Sequence, residues 1–522
     1  MVPHPHRLAG ALALCACSEV LGFEEPRLAR DAGSDDAATA AATCSTHADC
    51  NELFWDGPYV CRDGSCLDLT TRSCPIALGG ESLNDGLPPL LFGAFSVTEG
   101  AQRLSHPVTL NYDLVIKDFV RSGGLLVGER AALPIFIVCH GLPETAEELD
   151  TSIDHLVDTL EVPGILTPID QTELLRSFRR VLRDKGRRVL FLSANGSDSL
   201  VTPLDDDGLL WHVLPGPLDV GHAYLPLVAR IEAYLGLDSP LRVALVTSPA
   251  HRFLDDLGTF LRTRLTVGGR PLLEHDQTTY RALALPSQDR DPTADLSFAV
   301  AELRAFKPHL IVSAADQAFL GGVLPVLEQN WDQVADGQPP PFYVLSPFQN
   351  DPRTLRLLVS DHRSLRTRLV GVNAAGAADS TLYDLYLDRF RAEYPAASDY
   401  EGTENHYDAA YWLLYGAVAS GAEPPLDGAS LAYGITRLLS GPRFDVGPMQ
   451  IGAASRYLRQ EAGASIALHG TQGPPEFDAV EGTRRGTGSV WCVDESLDVR
   501  YDALRFDEAT EGLTGDFPCF EF

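Results

Sequence analysis

At 522 residues, 45% of them apolar, the chain has length for three to four domain-sized units, and it carries 72 Asp and Glu against 41 Lys and Arg, a formal net charge of −31. That acidic balance keeps a protein soluble and argues against a nucleic-acid partner, whose binders present a basic face. Ten cysteines are too few to staple the whole chain, yet seven lie within the first 74 residues, so the question of an oxidising compartment is decided at the N-terminus.

Arg7 precedes a nine-residue apolar run, 8–16, which is too short to cross a bilayer and has the length of a signal-peptide core. Leu14, Cys15, Ala16 and Cys17 resemble a bacterial lipobox, in which a small residue precedes the cysteine that is lipidated; residues 1–17 are then a signal and Cys17 the mature N-terminus, anchored to a membrane. The alternatives are an ordinary cleaved signal or a misplaced start. Residues 18–42 are polar and Ala-rich without an apolar period, and read as a tether. Residues 43–75 form a separate Cys-rich module. Cys44, Cys50, Cys61 and Cys66 fall in a stretch with almost no aliphatic residues, which folds only if stapled by disulfides or a metal. Zinc knuckles pair cysteines two to four residues apart, whereas the intervals here are five, ten and four, which favours disulfides.

The main body begins with an apolar strand at 90–97 and a helical pattern at 112–121 closed by Ser122-Gly123-Gly124. A strand follows at 134–139 and a helix at 145–160. The stretch 162–200 then alternates apolar run, polar loop, amphipathic segment, apolar run and polar loop, which is the pattern of a parallel βαβ unit. Ligands of open parallel sheets bind at the carboxyl ends of strands, so the loops 167–172 and 193–199 are the first candidates for a site. A strand at 209–214 and a helix at 224–235 complete one α/β series. A second opens at 242–247 and continues with a helix 254–265, a helix 296–305, a strand 309–313, a helix ending at Gln329 and strands 342–345 and 369–372. Helices at 383–394, 406–419 and 430–439 and strands at 465–468, 488–493 and 499–506 end the chain, with no repeat of 20 to 50 residues.

Eight segments in order, LLFGAFSVTEG, FVRSGGLLVGE, VPGILTP, RVLFLSANGSDSL, LRVALVTSPAHRFLDDLGTFL, FKPHLIVSAAD, YDAAYWLLYGAV and GTQGPPEFDAVEGTRRGTGSVWCV, resemble the type I periplasmic solute-binding proteins, the leucine/isoleucine/valine receptor family of ABC transporters. The likeness runs from about residue 90 to 494. It implies an α/β fold of two lobes, each a parallel sheet flanked by helices, joined by three crossovers near 235–242, 370–379 and 443–453 and closing on a ligand by hinge motion. The first lobe then comprises 88–238 and 373–445, and the second 239–372 and 446–522 with its tail. Carried over position by position, the resemblance implies ligand contacts from Gln171, flanked by Asp170 and Thr172, and from Ser193, Ala194, Asn195, Gly196 and Ser197. Across the cleft it implies Phe253, Asp316 as a partner for an ammonium group, and Phe348 with Gln349 in place of the family's acidic residue. An ordinary branched-chain amino acid therefore fits this pattern poorly.

Plainer uses compete for the same residues. Asp170 and Asp316 can be helix caps, and Asn195-Gly196 a turn. Cys139 ends a buried strand, with Cys74 as a candidate disulfide partner and Cys492 with Cys519 as a late pair. There is no G-x-S-x-G elbow, P-loop, G-x-G-x-x-G after a strand or H-E-x-x-H helix, so neither catalysis nor a cofactor nor a metal is expected. The function expected is capture of a small polar or amino-acid-like solute by an exported, lipid-anchored protein of the cell envelope serving an ABC permease. A sensing receptor without a permease, or an interaction lipoprotein with a degenerate cleft, are the alternatives.

Overall fold

The computed structural model describes residues 43–520 except 55–56, 84–85, 97–104, 142–144, 170, 200–204, 238–239, 287–294, 332–337, 376–379, 399, 401 and 461–462. The signal and lipidated Cys17, the tether 18–42 and Asp170 lie outside the described residues, as does the side chain of Gln171.

Two mixed sheets divide the main body. The first runs in spatial order Phe477–Asp478, Thr483–Arg484, Leu210–Pro215, Leu190–Gly196, Gly164–Thr167, Pro89–Ser96, Arg130–His140 and Ile76–Leu78. Its five central strands are parallel, whereas Ile76–Leu78 and the off-path strand Leu125–Val127 pair antiparallel with Arg130–His140, and Phe477–Asp478 pairs antiparallel with Thr483–Arg484. Taken by chain order, those five parallel strands lie 2-1-3-4-5. The second sheet repeats this arrangement: Tyr280–Ala284, Val243–Thr247, Leu310–Ala314, Phe342–Leu345 and Leu369–Ala375 are parallel in the order 2-1-3-4-5, followed by antiparallel Thr487–Val493, Val499–Asp507 and Gly512–Thr514. Strands buried on both faces read as continuous apolar runs. Pro89–Ser96 and Val243–Thr247, buried along almost their whole lengths, show this directly.

The crossovers do not fall where the sequence places two of them. Helix Pro217–Leu235 belongs to the second lobe's core, where Val220, Tyr224, Leu227 and Ile231 pack with strands of the second sheet, so the first crossover is at Pro215–Pro217 and not at 235–242. Helix Ile451–Gln460 and strand Ala467–His469 pack in the first lobe's core through Ile451, Leu458 and Leu468, and Thr483–Arg484 pairs with Leu210–Pro215. The third crossover is therefore just before Thr487–Val493 and not at 443–453, and 446–484 is not part of the second lobe. Helical periodicity shows that one face is buried but not which sheet buries it. The middle crossover falls between Leu369–Ala375 of the second sheet and helix Ser380–Glu393, whose Tyr386 and Phe390 enter the first core. Edge strand Tyr280–Ala284 and helices Pro352–Asp361 and Ile451–Gln460 are further elements absent from the sequence reading.

The Cys-rich module is built from short-range chemistry. Thr46 and Asp49 form a capping box at helix His47–Leu53, and Asp63 and Gly64, both at positive φ, turn a hairpin between Tyr59–Arg62 and Ser65–Asp68. Disulfides Cys44–Cys61 and Cys50–Cys66 join that hairpin to the helix and the segment before it. A third, Cys74–Cys139, fixes the module to the edge of the first sheet, and Cys492–Cys519 ties the tail to the second. Arg62 adds hydrogen bonds of 3.1 and 2.9 Å to the carbonyls of Thr159 and Leu160, so the module is seated on the first lobe and does not swing freely from it.

Candidate functional site

In a 2-1-3-4-5 sheet the connections leave strand 1 in opposite directions from strand 3, and a crevice opens between those two strand ends. In the first lobe the switch lies between Pro89–Ser96 and Gly164–Thr167; in the second, between Val243–Thr247 and Leu310–Ala314. The loops concerned are therefore 168–170 and, across the lobes, 248–251 and 315–318.

Asp316 sits at the second lobe's switch, 4% exposed. Its backbone N–H donates to Ser248 Oγ at 3.1 Å, which joins the two strand-end loops, and its Oδ1 accepts from the N–H of Ala318 at 3.0 Å. His251 Nε2 stands 3.3 Å from Asp316 Oδ2. The carboxylate thus has a cation-capable partner within the protein as well as a capping role. Ser346 and Gln349 buttress it from behind: Gln349 Nε2 donates to the Asp316 carbonyl at 2.9 Å, and its Oε1 accepts from Ser346 N–H at 2.9 Å. Phe348, 40% exposed, extends from this turn to pack against Phe253 and His251, with ring centroids 5.6 and 6.0 Å apart. Phe253, His251, Asp316 and Phe348 are therefore brought together on one lip.

The first lobe's lip is differently arranged. Asn195 Nδ2 donates to the Pro168 carbonyl at 2.7 Å and its N–H to Ser193 Oγ at 3.2 Å, so Asn195 ties the two candidate loops to each other. Ser193 and Ala194 are fully buried; the Ala194 carbonyl accepts from Asn405 Nδ2 at 2.8 Å. Thr172 is exposed in the first turn of helix Gln171–Arg179. Gly196 is where the lobes meet: a Cβ there would stand 3.1 Å from Phe253 Cε2 and collide with the Pro215 carbonyl. Only glycine allows that approach. Ser197, nearly buried, lies beside Gly216.

A set of hydrogen bonds absent from the sequence reading closes one end of the crevice. Asp256 of helix Arg252–Arg264 accepts from Ser199 N–H at 3.0 Å and from Ser199 Oγ at 3.1 Å, while Arg252 donates to Ser199 Oγ at 3.0 and 2.7 Å and pairs with Asp256 at 3.0 Å. This latch joins a first-lobe loop to a second-lobe helix through charge-assisted contacts. His251 and Asn405 were also missed; both lie next to strand-end loops, the signal that could have found His251, whereas Asn405 comes from a helix more than two hundred residues away in sequence.

No protein-family model matches the sequence, and neither does any curated protein. Among solved structures, the fold is similar to the branched-chain amino acid transporter substrate-binding protein of Streptococcus pneumoniae in complex with isoleucine (12% identity, 80% of this chain and 99% of that chain, TM-score 0.56). It is similar to a leucine-binding protein of Thermotoga maritima (13%, 80% and 98%, 0.51) and to an ABC transporter substrate-binding protein of Desulfitobacterium hafniense in complex with Leu (13%, 79% and 99%, 0.50). Two α/β lobes with paired switch points, matched along nearly the whole of those chains, give this protein the type I periplasmic-binding-protein fold.

Proposed function

We propose that this chain is an exported, lipid-anchored solute-binding protein that captures a small polar or amino-acid-like ligand between its lobes and presents it to an ABC permease. The observation that carries the reading is the apposition of the two lobes' strand-end loops, with Phe253 of the second packed on Gly196 of the first. Ligand contacts are assigned to Asn195, Gly196, Ser197, Phe253, Asp316 and Phe348 at the meeting lips and, on the sequence resemblance alone, to Asp170, Gln171 and Thr172. Binding would exchange part of the existing contacts, Asn195 with Pro168 and Asp316 with His251, for contacts to solute. Titration calorimetry of the intact protein with free amino acids, amides, aromatic acids and small peptides tests this. A saturable heat that is lost in Asn195→Ala with Asp316→Ala, with the fold intact by circular dichroism, supports the assignment; unchanged affinity removes both residues from the site. The anchor is tested separately: Cys17→Ser is expected to move the protein from membranes to the soluble fraction.

One specific observation favours the second reading, an interaction lipoprotein whose cleft no longer takes a solute. The carboxylate and the amide assigned to the ligand are both engaged within the protein. Absence of any heat across the panel would favour it.

A further inference from the structure

A groove of about 980 Å3 lies alongside the latch, a volume that holds an entire small-molecule ligand. It shares Ser199 and Asp256 with the latch and Ser197 with the crevice, but includes none of Asn195, Phe253, Asp316 or Phe348, so it adjoins the crevice between the switch points without coinciding with it. Both lobes contribute to it. Helix Arg252–Arg264 lines it from Asp256 to Arg264, eight positions, or about 12 Å of helix axis, which is the length of three to four extended residues. Leu218 and Phe260 supply apolar lining between these ends.

The groove's polar lining carries both signs, Asp198, Asp219, Asp256, Asp478 and Glu481 against Arg264, Arg484 and Arg485. At the latch end stand Asp198, 3% exposed, and Asp256; at the far end stands Arg264, exposed and without an ion pair among the described residues. Asp219 and Arg485 also line the groove, with Arg484. Arg484 is 2% exposed, and its Nη1 and Nη2 donate to the carbonyls of Val213, Gln472 and Pro474. Its Nε has no hydrogen-bond partner among the described residues. A buried guanidinium N–H without an acceptor costs free energy that an acceptor from a ligand would recover.

We infer that this groove is a binding site for a short peptide of three to four residues, its ammonium end at Asp198 and Asp256, its carboxylate at Arg264 and a backbone carbonyl on Arg484 Nε. The inference rests on the solute-binding reading and adds to it a second site, adjoining the crevice, with its own substrate class. Length, charges of opposite sign at Asp256 and Arg264 and an unmet donor in the lining are the three requirements a zwitterionic peptide meets together. A free amino acid is too short to reach both ends.

Titration calorimetry of the intact chain with tri-alanine and tri-leucine, and with their N-acetylated and C-amidated forms, tests the assignment. At least one free tripeptide is expected to bind, with acetylation and amidation each weakening it about tenfold or more, the scale of a lost charged hydrogen bond. Arg264→Ala should weaken the free peptide yet leave the amidated form unaffected, because the partner it loses is already gone. Thr259→Trp, at an exposed helix position that lines the groove, should abolish binding with the fold intact by circular dichroism. Leu357→Ala, at an exposed position outside both the groove and the crevice, should leave binding in place. Peptide binding that survives Arg264→Ala and Thr259→Trp but is lost in Phe253→Ala overturns the groove and leaves the solute-binding reading standing, as does binding of free amino acids alone. No heat from any peptide or amino acid overturns both.

Discussion

Two buried histidines should make this protein's stability fall steeply in mild acid. His212, on strand Leu210–Pro215, and His406, in the first turn of helix Glu404–Ser420, are in the first lobe, and burial lowers each to about 3 from the ordinary value of 6.5. His406 Nδ1 is 3.2 Å from Tyr112 Oη, a hydrogen bond suited to the neutral ring. A histidine whose folded value is depressed binds its proton more readily in the unfolded chain, so its stabilisation is complete above about pH 6.5 and is lost as pH falls toward 3. Between pH 8 and pH 5 that amounts to about 2 kcal/mol for each ring, or about 4 kcal/mol for the pair, within a total stability of about 5–15 kcal/mol. The buried carboxyls Asp118, Asp206 and Asp408, which burial raises, act in the opposite sense and take up protons earlier in the folded state. Comparing the protein with His406→Phe cancels their contribution. Denaturant unfolding by far-UV circular dichroism at pH 8, 6.5 and 5 should show the variant less stable at pH 8, through the orphaned Tyr112 hydroxyl, yet losing about 2 kcal/mol less than the parent on going to pH 5. Equal losses in parent and variant would refute the reasoning.

Asp256→Ala removes the acceptor for both Ser199 donors, and the latched form should lose about 1–3 kcal/mol; small-angle scattering should then report a larger radius of gyration, and an unchanged value would mean the latch does not hold the lobes. Replacing Cys74 and Cys139 together by Ser opens a connection of 65 residues, worth about 4 kcal/mol by loop-closure entropy, so Tm should fall markedly; a shift of only a degree or two would show that other contacts seat the module. Gly371→Ala directs a methyl into the buried indole of Trp491 and should cost about 1–3 kcal/mol in chemical denaturation, whereas no change would mean that the sheet relaxes there.

The long buried strands and most helices were legible because buried parallel strands write themselves as continuous apolar runs and amphipathic helices as a 3.6-residue period. Tyr280–Ala284 was not, since an edge strand half exposed on one side carries Arg281 and three alanines or aromatics without a long apolar run. Pro352–Asp361 had a readable start, Asp351 capping Thr354 N–H with Pro352 at the first position, but only ten residues to follow. The lobe to which Pro217–Leu235 and 446–484 belong was hidden for another reason: their apolar faces fit either sheet, and only long-range pairing such as Thr483 with His212 decides between them. In the site, the strand-end loops were found because topology alone positions them. The partners that engage them were not, since His251 and Asp316 are 65 positions apart and Asn405 reaches Ala194 across 211. Cys-rich spacing favoured disulfides over a metal, and the four cross-links join the eight cysteines from Cys44 to Cys519.

The claim that the two lobes hold a solute is tested most directly by native mass spectrometry of the gently purified intact protein, before and after addition of the amino-acid and peptide panel at millimolar concentration. The account predicts a protein mass carrying one small molecule, either co-purified or supplied from the panel, and released on mild activation. A bare protein mass under every condition would contradict it.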